Sequence, residues 1–160
     1  MNLYEKTIHK ESIYKGAIID LEVHDVELPD GNTSKRELVY HNGAVAVCPV
    51  TPENKVILVK QFRKPAEKPL LEIPAGKLEK GEARLSAAKR ELEEETGYIA
   101  EELELITEMY GSPGFSNEKI SIYMANSLKV GEMHLDDDEF IELVYYDVDD
   151  IKDMLKNKYI

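Results

Sequence analysis

The sequence contains a single cysteine, fewer basic than acidic residues and no long hydrophobic run. Because Cys48 stands alone, an intramolecular disulfide and a cysteine-rich zinc site are excluded, and its apolar surroundings favour a buried, inert thiol. The longest apolar run, residues 43–50, has eight residues and is too short to span a bilayer. The polar N-terminus lacks the apolar region of a signal peptide. We therefore expect a cytoplasmic protein with no membrane partner.

Acidic residues outnumber basic ones, with 32 Asp and Glu against 20 Lys and Arg in 160 residues and a formal net charge of −12. This excess argues against binding to nucleic acids or anionic membranes, whose phosphates would be repelled. Most acidic residues of a globular protein are solvated surface groups, so the charge alone assigns no function. The length fits one domain, or one domain with a small appendage.

Alternation of apolar residues predicts a series of β-strands. Residues 18–28 form a predicted strand that ends at the turn Pro29-Asp30-Gly31, and residues 35–41 return from it as a hairpin. The near-continuous apolar runs predict two further strands that are covered on both faces, at residues 44–50 and 55–62. Later strands are predicted at residues 103–109, 119–125 and 142–148, and a terminal helix at residues 151–158.

A change of period predicts one central helix over residues 81–96. Leu85, Ala88 and Leu92 recur at i, i+3 and i+7, which indicates the apolar face of a helix. Gly97 follows at the position where a helix commonly ends in a left-handed glycine. Strands, a helix, more strands and a final helix together predict a mixed α+β fold.

Three carboxylates of this helix form a stripe. Glu91, Glu94 and Glu95 lie at i, i+3 and i+4, and we expect them to point away from the apolar face. Taken alone, such a stripe is either a solvated surface or a site for a hard cation such as Mg²⁺ or Mn²⁺. Arg90 is either a surface cation or a group that orients a neighbouring carboxylate.

The spacing around the stripe is more specific than the stripe itself. Residues 76–98 resemble the signature of the Nudix hydrolases, G-x5-E-x7-R-E-U-x-E-E-x-G-U, in which U is a bulky aliphatic residue. Tyr98 departs from it at the last aliphatic position, which is a packing position. The positions that match are Gly76, Glu82, Arg90, Glu91, Leu92, Glu94, Glu95 and Gly97.

The resemblance implies metal-assisted hydrolysis of a pyrophosphate linked to another group. It implies that Glu91 and Glu95 are direct ligands of Mg²⁺, with Mn²⁺ as a substitute, and that Glu94 is a ligand or a catalytic partner beside them. By the same similarity, Glu82 assists the metal cluster, Arg90 holds the glutamates in position and the backbone carbonyl of Ala75 is a further ligand.

A second resemblance points to the ADP-ribose pyrophosphatase subgroup. Pro113 follows Gly97 by sixteen residues in a Ser-Pro-Gly-Phe-Ser context that is similar to this subgroup, although an ordinary Pro-Gly turn is the competing interpretation. Similar segments lie at residues 36–37, 61–63 and 71–76. The resemblance implies that Arg63 contacts a phosphate and that Arg36 and Glu37 contact the adenosine end of the substrate. It also implies that Glu72 contacts a ribose or base and that Pro113 and Glu118 lie in the substrate loop. For each charged residue, a surface salt bridge is the alternative interpretation.

The acidic run at residues 134–142 contains a further candidate. In the family that this chain resembles, a carboxylate on this late loop closes over the substrate and serves as general base or as an extra metal ligand, and the pattern favours Glu139, with Asp137 next. The family that this chain resembles often supplies an aromatic ring from the first hairpin to stack on adenine, and the corresponding residues 17–20 lack one. Selectivity among nucleoside diphosphate sugars is therefore left open, with Tyr14 as a possible substitute.

The Nudix resemblance implies an α+β fold in which mixed β-sheets pack between helices as an α/β/α sandwich, with an N-terminal β-hairpin appendage. We expect residues 1–41 to form that region and to exchange between the subunits of a homodimer, and residues 42–160 to form the hydrolase domain. The expected reaction converts ADP-ribose to AMP and ribose 5-phosphate. The alternatives are another nucleoside diphosphate sugar as substrate and a Nudix regulator that binds such a sugar without cleaving it.

Overall fold

The computed structural model describes residues 2–157, which divide into two compact units. The first unit takes the described residues up to Gly43 and residues 109–120, and the second takes residues 44–108 and the described residues from Ser121 onward. The assignment of residues 1–41 and 42–160 to separate functional domains stays a prediction.

The N-terminal strands form a three-stranded antiparallel sheet in the order β1-β2-β3, with β1 at Lys6–Lys15, β2 at Ile19–Glu27 and β3 at Thr33–His41. The predicted hairpin is β2 with β3, joined at a turn in which Gly31 has a φ of 84°. The first strand extends this hairpin and was not predicted, because all ten of its residues are exposed and carry no inward-facing apolar alternation.

The remaining strands form three further sheets, with orders β7-β4-β10-β9, β12-β5-β6 and β11-β8. The predicted strands at residues 44–50 and 55–62 are confirmed, and both are largely buried over their apolar stretches. Their β-branched side chains suit a sheet that is covered on both faces. The bounds are β4 Ala44–Pro49, β5 Lys55–Arg63, β6 Lys68–Glu72, β7 Ala75–Lys77, β8 Tyr98–Ala100, β9 Glu104–Tyr110, β10 Lys119–Ala125, β11 Leu128–Val130 and β12 Glu142–Asp147.

The central helix, α1, spans Arg84–Thr96 and packs against β4, β7 and β8. Ala87, Ala88 and Leu92 are fully buried in the core cluster with Val45 and Val47. The expectation that Leu85 shares this face is wrong, because Leu85 is 47% exposed. The helix ends at Gly97, whose φ of 70° and whose N–H donation to the Glu93 carbonyl are those of a left-handed helix end.

The second helix, α2, spans Val148–Lys156 and contacts β12. It begins three residues before the predicted start at Ile151, and the predicted end at Lys158 lies outside the described residues. Within residues 2–157, two α-helices and four sheets confirm the predicted α+β class. Among residues 2–157, no helix is both long enough and apolar enough to cross a membrane.

Candidate active site

Glu95 is the most deeply buried carboxylate of α1, with only 3% of its surface exposed. One oxygen accepts a hydrogen bond of 2.9 Å from the Ala75 N–H at the start of β7. Within the described part of the chain, no basic side chain forms an ion pair with it. Burial, reinforced by the negative charges of Glu91 and Glu139, raises the pKa of Glu95 to about 8. The expectation that all three carboxylates point away from the core is therefore wrong for Glu95.

Glu91 lies one turn earlier, against the backbone of β7. A Cβ atom placed on Gly76 would lie 1.9 Å from the Glu91 carboxyl carbon, so any larger residue at this position would force the end of the Glu91 side chain to move. Burial raises the pKa of Glu91, while the adjacent Arg90 guanidinium opposes that change. Since β7 is held by its pairing with β4, the strand and the helix fix Glu91 and Glu95 beside Ala75 and Gly76.

Arg90 joins three carboxylates through one guanidinium group. Its Nε and Nη2 atoms each donate to Glu82 at 3.0 Å, and its Nη1 atom donates to Glu91 at 2.9 Å and to Glu94 at 2.7 Å. These bonds lower the pKa of Glu82, which also accepts a 3.0 Å hydrogen bond from the Glu79 N–H. A planar group with five donors can hold several carboxylates together, which a lysine cannot do.

Glu139 lies on a segment that is tied to the end of α1. The His134 N–H donates to the Glu94 carbonyl at 3.0 Å, and Glu139 and Asp136 exchange two hydrogen bonds that close a turn. The negative charge of Glu139 raises the pKa of both Glu91 and Glu95, so the turn holds this carboxylate close to the acidic face of α1. Asp137, the second choice for a general base, is exposed.

A cross-strand ion pair connects β5 and β6 beside this face. The Arg63 guanidinium donates to the Glu72 carboxylate at 2.6, 3.0 and 3.2 Å, and this bonding raises the pKa of Arg63. The resemblance assigned Arg63 to a phosphate and Glu72 to a ribose or base, and it did not predict that the two side chains form an ion pair with each other.

The comparisons with known proteins agree with this geometry. The NUDIX domain family matches residues 40–159, and the family described as the nucleoside diphosphate sugar hydrolase N-terminal domain matches residues 5–39. The chain belongs to the Nudix family. It is similar to an ADP-ribose pyrophosphatase of Bacillus subtilis (strain 168), with 53% identity over 99% of this chain and 87% of the relative.

Two further relatives bear on fold and function. A protein of Bacillus methanolicus named methanol dehydrogenase activator is 51% identical over 98% of this chain and 85% of its own length. A crystal structure of an ADP compounds hydrolase superposes with a TM-score of 0.87 and 24% identity, over 98% of this chain and 85% of that chain, which shows a shared fold. The predictions of the Nudix fold and of a Nudix hydrolase are thereby confirmed.

Nudix hydrolases generally use divalent metal ions, and the donor set of this Nudix protein fits one. Glu91 and Glu95 supply hard oxygen donors whose burial disfavours their charge, and a divalent cation would offset that charge. Among residues 2–157, no three acidic, histidine or cysteine side chains already converge as a ligand cluster.

The other predicted substrate residues lie in the first unit of this Nudix protein. Arg36 forms a two-bond ion pair with Glu5, at 2.9 and 2.6 Å, while Glu37 is exposed. One Glu118 oxygen lies 3.6 Å from the His41 ring. Pro113 lies in the turn that precedes Phe115 and Ser116, whose N–H groups both donate to the Ser112 carbonyl. The roles assigned to these residues stay predictions.

Two features of the site were missed by sequence reasoning. The backbone bond from His134 to Glu94 has no side-chain signature, so no motif could have indicated it. The exposed rings of Phe62 and Phe140 line a cavity next to Glu139, and only the distinctive Gln61-Phe62-Arg63 segment hinted at one of them.

Proposed function

We propose that this Nudix protein hydrolyses the pyrophosphate bond of ADP-ribose with Mg²⁺, or with Mn²⁺ in its place, to give AMP and ribose 5-phosphate. The observation that carries the chemistry is the pair of buried carboxylates, Glu91 and Glu95, held on α1 against Ala75 and Gly76. The choice of substrate is supported by the similarity to the B. subtilis ADP-ribose pyrophosphatase over almost the whole chain.

The acidic face would hold the metal. Glu91, Glu95 and the Ala75 carbonyl are the proposed ligands, and Glu82 and Glu94 stand next to them as further ligands or partners. Arg90 links Glu82, Glu91 and Glu94, so its proposed role is to keep these carboxylates in one arrangement. Bound metal ions would neutralise the phosphate charge and favour ionised water.

Glu139 is the proposed general base. It would accept a proton from the attacking water while the water oxygen forms a bond to phosphorus and the bond from that phosphorus to the bridging oxygen breaks. The Asp136 N–H, which donates to a Glu139 oxygen at 3.2 Å, fixes the direction of this carboxylate. Glu94 is the alternative catalytic carboxylate on α1.

The remaining contacts follow from charge and position. Arg63 would bind a phosphate in two-bond geometry, and Glu72, which now holds its guanidinium, would be free to meet a ribose or base. Arg36 and Glu37 are proposed to contact the adenosine end, and Pro113 and Glu118 to shape the loop beside the substrate.

We also propose a cytoplasmic homodimer that exchanges its N-terminal region. Residues 5–39 match a domain found before nucleoside diphosphate sugar hydrolases, and β1 is exposed along its full length. Light scattering tests this assembly, and a fully active monomer would contradict it.

A second candidate function is regulation without cleavage, because the relative named methanol dehydrogenase activator is 51% identical to this chain. The complete set of Glu91, Glu94 and Glu95 opposes a purely non-catalytic role, since a simple binding module has no need of the two buried carboxylates, Glu91 and Glu95, whose pKa values are raised by burial. Hydrolysis of another nucleoside diphosphate sugar is the third alternative.

A substrate panel separates these functions. Phosphate release would be measured with a coupled phosphomonoesterase over ADP-ribose, ADP-glucose, NADH and dinucleoside polyphosphates, with Mg²⁺ or Mn²⁺. The proposal predicts fastest turnover of ADP-ribose and none in the presence of EDTA. If no compound is cleaved, the regulatory alternative is supported instead.

A further inference from the structure

A cavity of about 470 Å³ lies between the end of β5, the start of β6 and the segment that leads into β12. This volume is within the range of small-molecule sites, which is about 300–1,000 Å³. Its lining is mainly hydrocarbon, with one amide and a few charged groups. The polar and aromatic side chains of the lining are Lys60, Gln61, Phe62, Glu139, Phe140 and Glu142.

The cavity adjoins the acidic face of α1 through a shared residue. Glu139 lines the cavity, and the segment that carries it is tied to α1 by the His134 N–H, which donates to the Glu94 carbonyl at 3.0 Å. A group that is covalently attached to a phosphate held at these carboxylates would therefore extend toward the cavity. The cavity and the acidic face belong to the same compact unit.

The charges around the cavity exclude a phosphate as its occupant. Lys60 is the single cation among the lining residues, and its Nζ atom already donates to Glu142 at 2.9 Å. Glu139 adds a second carboxylate, so the lining carries a net negative charge. An uncharged part of the substrate is favoured there.

The apolar lining favours a ring with a hydrocarbon face. Phe62 is 56% exposed and Phe140 is 84% exposed, which is unusual for large apolar side chains unless they have a ligand or a partner to cover them. The Gln61 amide and the two carboxylates offer hydrogen bonds to hydroxyl groups. A sugar has both properties, since its C–H face packs on an aromatic ring and its hydroxyls bond at the edge.

From these observations we infer that the cavity binds the sugar attached to the distal phosphate of a nucleoside diphosphate sugar, and that Phe62 is a specificity-determining residue of this subsite. This inference rests on the proposed function and adds the position of the non-nucleoside half of the substrate. The size of the cavity predicts that a hexose is accepted as well as a pentose.

Phe62→Ala tests the inference through the two reaction products. AMP carries the nucleoside half and ribose 5-phosphate carries the sugar half, so each inhibits through a different end of the site. We expect the variant to raise the KM for ADP-ribose and the inhibition constant of ribose 5-phosphate about fivefold to tenfold, because an aromatic contact is lost. The inhibition constant of AMP should stay within twofold of the wild-type value.

Two variants act as controls for folding and for chemistry. Leu155→Ala removes a similarly exposed apolar side chain from α2 and should change none of these constants. Phe62→Leu retains bulk without the aromatic face and should give intermediate values. Thermal unfolding should be nearly the same in all three variants, since both truncated positions are exposed.

The inference is overturned if the inhibition constants of AMP and ribose 5-phosphate rise equally in Phe62→Ala, or if neither changes by more than twofold. A separate binding measurement tests the cavity independently of whether the protein hydrolyses ADP-ribose. Calorimetric titration of ribose 5-phosphate with Mg²⁺ into wild type and Phe62→Ala reports on the cavity even if wild type cleaves nothing. Weaker binding by the variant supports the subsite, and equal or undetectable binding in both proteins overturns it.

Discussion

Replacing Glu95 with glutamine removes a negative charge while it keeps the size of the side chain and an oxygen that can accept the Ala75 N–H. The pKa of Glu95 is raised from its usual value of 4.5 to about 8, chiefly by burial. At about 1.4 kcal/mol per pH unit, ionising this carboxyl in the metal-free fold costs as much as about 5 kcal/mol at and above pH 8.

The sign of this effect follows from proton binding. Between pH 4.5 and about 8, folded Glu95 holds a proton that the unfolded chain has released, so the wild type loses stability as the pH rises through that window. Glutamine has no such proton to lose. In EDTA, the variant should exceed the wild type in stability by about 1 kcal/mol at pH 5.5, and by several times that amount at pH 8.

The activity should change in the opposite direction. Loss of groups around a metal site costs about 10- to 100-fold, so removing a proposed direct ligand should lower kcat by about 100-fold or more. Urea unfolding in EDTA at the two pH values and turnover with saturating Mg²⁺ measure both effects. Glu93→Gln is the matched control, because Glu93 lies on the same helix outside the acidic site, and it should change neither quantity strongly. A Glu95→Gln variant that is less stable at both pH values, or that retains near-normal turnover, would refute the reasoning.

Three further substitutions test the geometry around α1. Gly76→Ala should displace the end of the Glu91 side chain, since the new Cβ would overlap its carboxylate, so Mg²⁺ titration of activity should show weaker metal binding. Unchanged metal binding would contradict the close contact. Arg90→Lys keeps the charge but cannot bridge three carboxylates, so kcat should fall about 10- to 100-fold without loss of fold by circular dichroism; full activity would remove the bridging role. His134→Pro removes the backbone N–H that donates to the Glu94 carbonyl, so the segment that carries Glu139 should be displaced and kcat should fall. His134→Ala retains this N–H and should behave as wild type. Equal kcat in the two variants would rule out a role of this hydrogen bond in positioning Glu139.

Local sequence signals predicted most of the secondary structure because the elements around the core obey simple periods. The strands β4 and β5 were evident from their continuous β-branched apolar runs, and α1 from its change of period and its terminal glycine. The strand β1 was not predicted, since it is exposed throughout and pairs through its backbone, which leaves no pattern in its side chains.

The motif predicted which residues form the acidic site, but not how they are arranged. Spacing on a helix places Glu91 and Glu95 on the same side. It does not predict that β7 covers this side and buries Glu95. Leu85 was assigned to the core by the same periodicity, although it is exposed, because Ala87 and Ala88 fill the contact with the sheet. Arg63 and Glu72 lie at opposite ends of the β5–β6 ladder, where Arg63 is opposite Lys68 and Glu72 is opposite Val59, so strand pairing alone does not predict their ion pair.

The most direct test of the central claim is ³¹P NMR of ADP-ribose incubated with the protein. With Mg²⁺ we expect the pyrophosphate signals to be replaced by equal amounts of AMP and ribose 5-phosphate, with no conversion in EDTA and strongly slowed conversion by Glu95→Gln. Intact ADP-ribose after prolonged incubation with saturating Mg²⁺, or equally fast conversion in EDTA, would contradict a metal-dependent pyrophosphatase built on the carboxylates of α1.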